Sequence, residues 1–224
     1  ETGLFTSRVT EGLYETALWL SEMFKATKDA GIYENTDFFI VSDHGQLNIR
    51  RAVALNALLA ENGLIDVDEN GQIRDFTAFA KSGGLSACVY LKHPENEEDR
   101  KRTGEVLKKL AESEVYGISE VFTEEEARTK HRLGGDFAFV VETDGYTTFS
   151  NEWKRPLIRS LDNHNYRFGR ATHGHLPEKG PQPTLISFGP HMQPGAVIPD
   201  AQLVDEAPTF AHALGIDDVD EVVH

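Results

Sequence analysis

The sequence predicts an α/β fold, a sheet core with helices on both faces, interrupted by a small α+β subdomain. Three observations carry this. A long amphipathic helix runs into a short, continuously apolar segment, Asp37-Phe38-Phe39-Ile40-Val41, of the kind that forms buried strands in parallel sheets. A similar strand and helix close the chain. Between them, strands and helices alternate at close spacing, as a separate insert would.

Leu4 to Ala30 reads as one helix, because Phe5, Val9, Leu13, Ala17, Leu20 and Phe24 recur at spacings of three and four on one stripe. Gly31 offers its C-terminal stop, and Asn35-Thr36 is a turn before the first strand. Arg51 to Asn62 reads as a helix with Val53, Leu55, Leu58 and Leu59 as its apolar positions, followed by Gly63. Asp68-Glu69-Asn70-Gly71 is a hairpin turn. Gly83-Gly84 turns into a strand from Leu85 to Leu91, which His93-Pro94-Glu95-Asn96 breaks. Asp99 to Ser113 is a helix with Val106, Leu107 and Leu110 inward, and Gly117 to Phe122 is an edge strand. Thr123, with Glu126 three residues on, is a helix N-cap of the capping-box type. Phe137 to Val141 is another strand. Pro183 to Phe188 is a strand ended by Gly189-Pro190, and Leu203 to Leu214 is a helix capped by Gly215. The expected division is a core of residues 1–75 and 162–224 with an insert over 76–161. The acidic end, Asp217 to Glu221, reads as a solvated tail.

A length of 224 residues with 39% hydrophobic and 26% charged residues suits a globular chain with a sizeable core. The formal net charge of −15 argues against a basic face that wraps a nucleic-acid polymer. It leaves room for small phosphate esters, provided that metal cations bring positive charge to the site. Cys88 is the single cysteine, so an intramolecular disulfide and a thiolate-only zinc site are excluded. In its strand context Cys88 reads as a buried, inert thiol. Any metal must be held by His, Asp or Glu. No apolar run reaches the roughly 20 residues of a membrane span, so no membrane partner is expected.

Two segments have the residue types for metal chemistry. Ser42-Asp43-His44-Gly45 directly follows the first apolar strand, at the carboxyl end where ligands of open α/β sheets bind. Asp43 and His44 are both good ligands for zinc-like ions. The same segment also reads as a plain polar turn, and the residues alone leave the two readings even. Ala171-Thr172-His173-Gly174-His175 is the second, a Gly-containing loop before the last strand. Two His at i and i+2 can share an ion, and they can equally be a surface pair. Together the two loops favour the metal reading. His93, His131, His164 and His224 read as surface residues, His191 as a loop residue and His212 as a helix residue. Neither glycine pair, Gly83-Gly84 or Gly134-Gly135, has the pattern of a phosphate loop, and no nucleophile elbow is present.

These stretches resemble the type I phosphodiesterase/nucleotide pyrophosphatase family of the alkaline phosphatase superfamily. Phe39-Ile40-Val41-Ser42-Asp43-His44-Gly45-Gln46 is similar to its strand and Ser-Asp-His-Gly metal loop. Thr172-His173-Gly174 with the strand ending in Gly189-Pro190 resembles its late His-Gly loop. Val204-Asp205-Glu206-Ala207-Pro208-Thr209 resembles its closing helix. The resemblance implies an alkaline-phosphatase-like sheet core with an inserted cap, and two divalent metal ions, zinc by expectation. Asp43 and His44 would bind one ion and His173 the other, whereas His175 lies beyond the motif.

The implied activity is metal-dependent hydrolysis of phosphodiester or nucleotide pyrophosphate bonds in a small phosphate-ester or nucleotide substrate. The family's Thr or Ser nucleophile and its first ligands precede this region, so the catalytic residue is expected upstream of Glu1, with the fold incomplete at the N-terminus. Glu1-Thr2-Gly3 would fall just after a further metal-binding His. Two alternatives stand beside this reading. One is a related enzyme such as a phosphonate hydrolase or a phosphoglycerate mutase. The other is a non-catalytic truncated or degenerate domain, whose uncovered sheet edge would favour a homodimer. A cytoplasmic location is expected.

Overall fold

A computed structural model of the chain describes residues 4–161, 170–199 and 201–216. Glu1-Thr2-Gly3, His164, the acidic tail from Asp217 to Glu221 and His224 lie outside the described residues. The class is mixed α/β, as expected. The order is α1 (Ser7–Asp29), β1 (Phe38–Val41), β2 (Leu47–Asn48), β3 (Arg51–Ala54), α2 (Leu55–Glu61), β4 (Ile65–Val67), β5 (Ile73–Phe76), β6 (Ala78–Ser82) and β7 (Ser86–Leu91). It continues with α3 (Glu97–Glu112), β8 (Ile118–Thr123), α4 (Glu124–His131), β9 (Phe139–Thr143), β10 (Thr147–Ser150), β11 (Ile158–Ser160), β12 (Ala171–Thr172), β13 (Leu185–Phe188) and α5 (Glu206–Ala213). No helix among the described residues is long and apolar enough to cross a membrane.

The chain forms two compact units. The first comprises Glu1–Glu15 and Gly45–Gln182, the second Thr16–His44 and Pro183–His224. In the first unit an antiparallel sheet of order β6-β7-β9-β8 is the main scaffold. A three-stranded sheet sets β3 between β10, parallel to it, and β11, antiparallel to it. Leu55, Leu58 and Leu59 of α2 and Leu107 of α3 are fully buried in one cluster with Val53, Val89, Val141, Phe139 and Phe149. Each such aliphatic side chain contributes roughly 1.5–3 kcal/mol by leaving water. Asn56 is buried beside them, and its amide is satisfied by both backbone groups of Ala80, at 2.9 and 2.7 Å. That bond pair fixes α2 against β6.

Two local readings need correction. Arg51–Ala54 is a strand, and the helix starts only at Leu55. The apolar positions suited a helix, but strand neighbours on both sides satisfy this backbone, and tertiary pairing overrides local pattern. β1 is not a fully buried parallel strand. It pairs antiparallel with β13 and is half-buried, with Val41 exposed. Four apolar residues fit either environment, and the run alone does not separate them.

In the second unit an aromatic cluster does the packing. The Phe24 ring meets Phe38 edge-on at 5.0 Å and Phe188 at 5.5 Å, while Phe38 and Phe188 stack at 5.0 Å across the β1–β13 pair. Phe39 on the other face meets Phe210 of α5 at 5.1 Å. α1, whose residues from Thr16 on belong to this unit, has no buried residue, and Leu18, Trp19 and Met23 are all exposed, as are Leu13 and Tyr14 in its first-unit part. Gly31 lies at φ +71° and ends the helix as expected.

The capping box at α4 forms as predicted. Thr123 Oγ1 accepts from the Glu126 N–H, and the Glu126 carboxylate accepts from the Thr123 N–H at 3.0 Å. The Thr123 N–H, then Lys130, hold the Glu126 carboxyl down to about 2. Thr123→Ala is expected to cost about 1 kcal/mol in urea unfolding. Thr129→Ala, outside the cap, should cost distinctly less, and equal losses would show that the box contributes nothing.

Candidate functional site

Asp43 and His44 stand in the loop that leaves β1. Ser42 extends the β1–β13 ladder by one step, donating its N–H to Thr184 O at 3.0 Å and accepting the Thr184 N–H on its Oγ at 2.8 Å. The chain turns only after this bond pair, so the next two side chains emerge together at the strand end. Asp43 Oδ1 accepts the His44 N–H at 3.0 Å, and Asp43 Oδ2 lies 3.2 Å from His44 Nε2. Two ligands at about 2.0–2.1 Å from a tetrahedral ion lie about 3.3 Å apart, so the pair has the bite that zinc takes. The same spacing suits a direct ion pair. The Asp43 side chain is 83% exposed and that of His44 37%, so the pair is open to solvent. Among the described residues no group of three or more His, Cys, Asp or Glu stands close enough to hold an ion. Asp43 and His44 thus supply two donors of the right type and spacing.

Glycine is needed at position 45 for a close approach. A Cβ at this position would sit 1.7 Å from the Pro181 carbonyl oxygen. The backbone after the Asp-His pair therefore packs directly on the end of the His173 loop segment, which only glycine permits.

His173 follows β12, a two-residue strand paired with β2. Its carbonyl accepts the Leu85 N–H at 2.8 Å. Gly174 lies at φ +89°, and a Cβ there would meet the Gly83 carbonyl oxygen at 2.2 Å. The imidazole-bearing loop is thus pressed onto the β6–β7 turn. His173 is exposed, and His175 is half-buried with Nδ1 2.9 Å from Leu176 O and Nε2 enclosed without a partner. Asp43 and His44 belong to one unit and His173 to the other.

Two polar groupings escaped the sequence reading. Asp37 accepts from the His191 N–H at 3.1 Å, and its Oδ2 lies 2.8 Å from His191 Nδ1. This side-chain hydrogen bond is the main influence holding the Asp37 carboxyl below its ordinary value. Glu142 in β9 has a side chain only 3% exposed. Its Oε1 accepts the Leu176 N–H at 2.9 Å and lies 3.4 Å from Lys179 Nζ. Lys179 also donates to Thr143 O at 2.9 Å and Ser119 Oγ at 2.7 Å. Burial pushes the Glu142 carboxyl up, and the Leu176 N–H and Lys179 draw it partly back. A glutamate after three apolar residues in Phe139–Thr143 was the available signal, but its partners lie more than 30 residues away in sequence. Cys88 is half-buried, and burial raises its thiol as expected of an unreactive cysteine. His131 stacks edge-on against Phe122 at 4.8 Å, and His93 lies 3.7 Å from Glu95.

The family model for type I phosphodiesterase/nucleotide pyrophosphatase matches residues 3–175, which include Asp43, His44 and His173. No curated protein sequence matches the chain. Among solved structures, human ectonucleotide pyrophosphatase/phosphodiesterase 5 superposes with a TM-score of 0.64 at 14% identity, over 96% of this chain and 50% of its own. An inactive form of the murine protein in complex with AMP gives 0.48 at 18% identity, over 76% of this chain and 38% of its own. Phosphonoacetate hydrolase from Sinorhizobium meliloti in complex with phosphonoformate gives 0.43 at 16%, over 71% and 38%. The human likeness supports the fold, and the chain spans about half the length of that relative.

Two outcomes follow from the site geometry. Gly174→Ala adds a side chain at a left-handed position against a backbone carbonyl and should destabilise the first unit by about 1–3 kcal/mol in urea unfolding. Wild-type stability would mean that the loop is not pressed on the turn. Because the Glu142 carboxyl is raised above its ordinary 4.5, the folded chain holds more protons than the unfolded one just above that pH. Its contribution to stability therefore falls as pH rises through that window. Thermal melts of Glu142→Gln should show a flatter pH profile above 4.5 than wild type, and parallel profiles would refute the raised carboxyl.

Proposed function

The chain belongs to the type I phosphodiesterase/nucleotide pyrophosphatase family, and from that premise we propose that it serves metal-dependent hydrolysis of phosphodiester or nucleotide pyrophosphate bonds. The observation that carries the reading is the Asp43–His44 pair, two zinc-type donors with a 3.2 Å bite at the end of a strand. We assign Asp43 and His44 to one divalent ion and His173 to a second, with zinc the natural choice for imidazole and carboxylate ligands. Segment 76–161 is the cap that overhangs the substrate.

When bound, the ions supply Lewis-acid charge to a phosphoryl group that is otherwise repelled by a chain of net charge −15. The chain's own residues bind and orient. Asp43 and His44 present carboxylate and imidazole from adjacent positions, fixed by the Ser42–Thr184 bonds behind them. His173 presents an imidazole from a loop held by its own carbonyl. No Thr or Ser nucleophile is assigned within these 224 residues, which span about half the length of the human protein.

The test pairs zinc titration with hydrolysis of bis-p-nitrophenyl phosphate by the full-length protein, with a chelator control. Chelator-sensitive turnover is expected, and His44→Ala should weaken zinc binding by roughly tenfold or more, since loss of a group that only orients a ligand already costs about that much. His131→Ala, whose ring packs on Phe122, should bind zinc as wild type does. Equal affinities of the two variants would remove the Asp43–His44 pair from the site. Turnover by the 224-residue chain alone would instead put the nucleophile within it.

A further inference from the structure

We propose that Glu142 is a positioning residue for His173. This rests on the reading of His173 as a metal ligand. The segment after β12 has little regular structure of its own. Only the turn Pro177–Lys179 follows within the first unit. Its backbone must therefore be fixed by other elements. Upstream of the imidazole, β12 pairs with β2, and the His173 carbonyl takes the Leu85 N–H. Downstream, the Leu176 N–H is held by Glu142 three residues on, and Lys179 three residues further. His173 and Gly174 are thus the span between two anchors, and Glu142 supplies the second.

The energetics favour a positioning role over a purely stabilising one. A carboxylate with a 3% exposed side chain loses its hydration, and a buried ion pair regains little more than that loss. An apolar residue in Phe139–Thr143, where every position is buried, would pack at less cost. What the carboxylate gives, and an apolar side chain does not, is a directional grip on one N–H and one ammonium. Ser119 Oγ and Thr143 O hold the same ammonium from the sheet side. The grip therefore ties the His173 loop to strands β8 and β9 of the scaffold.

The experiment measures zinc affinity of the full-length protein and amide exchange over residues 171–179. It compares wild type, His173→Ala, Glu142→Ala, Glu142→Gln and Lys179→Met. Glu142→Ala should speed exchange and weaken zinc binding about tenfold, the effect of losing a group that orients a ligand. Glu142→Gln keeps an oxygen for the Leu176 N–H and should restore most of the affinity. A purely structural role would lower the melting temperature of Glu142→Ala without moving zinc affinity. That result, with His173→Ala still weakened, overturns the positioning role and spares the reading of His173. Unchanged affinity in His173→Ala overturns both. If Glu142→Ala fails to fold, Lys179→Met, which cuts the grip at its less buried end, decides by the same criteria.

Discussion

A carboxylate enclosed in a sheet must find donors, and in the first unit that requirement shapes everything around β9. Glu142 has its side chain almost wholly removed from water. Its partners come from a segment with no strand or long helix to bind it, so meeting the needs of the charge and ordering the segment are one event. The apolar cluster of α2, α3 and the sheet makes the unit stable, while Leu176 of the loop after β12 packs on a second cluster of Phe122, Ala127, Phe137 and Val140. The charge adds a directional hold to that packing.

The second unit is built on different physics. Its strand pair is short and half-buried, and the rings of Phe24, Phe38 and Phe188 take the place of a deep aliphatic core. Ring contacts of this kind add about 0.5–1.5 kcal/mol each beyond their burial. The Asp37–His191 contact closes the far end of the same strand pair, while Ser42 and Thr184 bond at the end where Asp43 and His44 emerge. A two-strand element with both ends tied is a stiff platform for two adjacent side chains.

Much of this was legible in local pattern. The α4 capping box, the hairpin at Asp68–Gly71, the stop at Gly31 and the edge position of β8 all follow from residues within a few positions of each other. The Asp43–His44 and His173 segments could be picked out because short motifs mark them. What failed depended on distance along the chain. Arg51–Ala54 became a strand because residues 147–150 and 158–160 pair with it. The parallel, buried reading of β1 failed because its one described neighbour, β13, runs the other way. The Glu142 grip and the Asp37–His191 contact span 37 and 154 positions, and a single sequence carries no signal that links residues so far apart.

The two tryptophans fall one to each unit. Trp153, in the first, is half-buried and donates its Nε1–H to the Gly71 carbonyl at 3.1 Å, while Trp19, in the second, is 66% exposed on α1. An indole held by a backbone acceptor and one open to water emit at different wavelengths and quench at different rates. The protein thus carries a built-in optical label on each half. With either tryptophan changed to phenylalanine, the remaining emission reports the melting of one unit without the other.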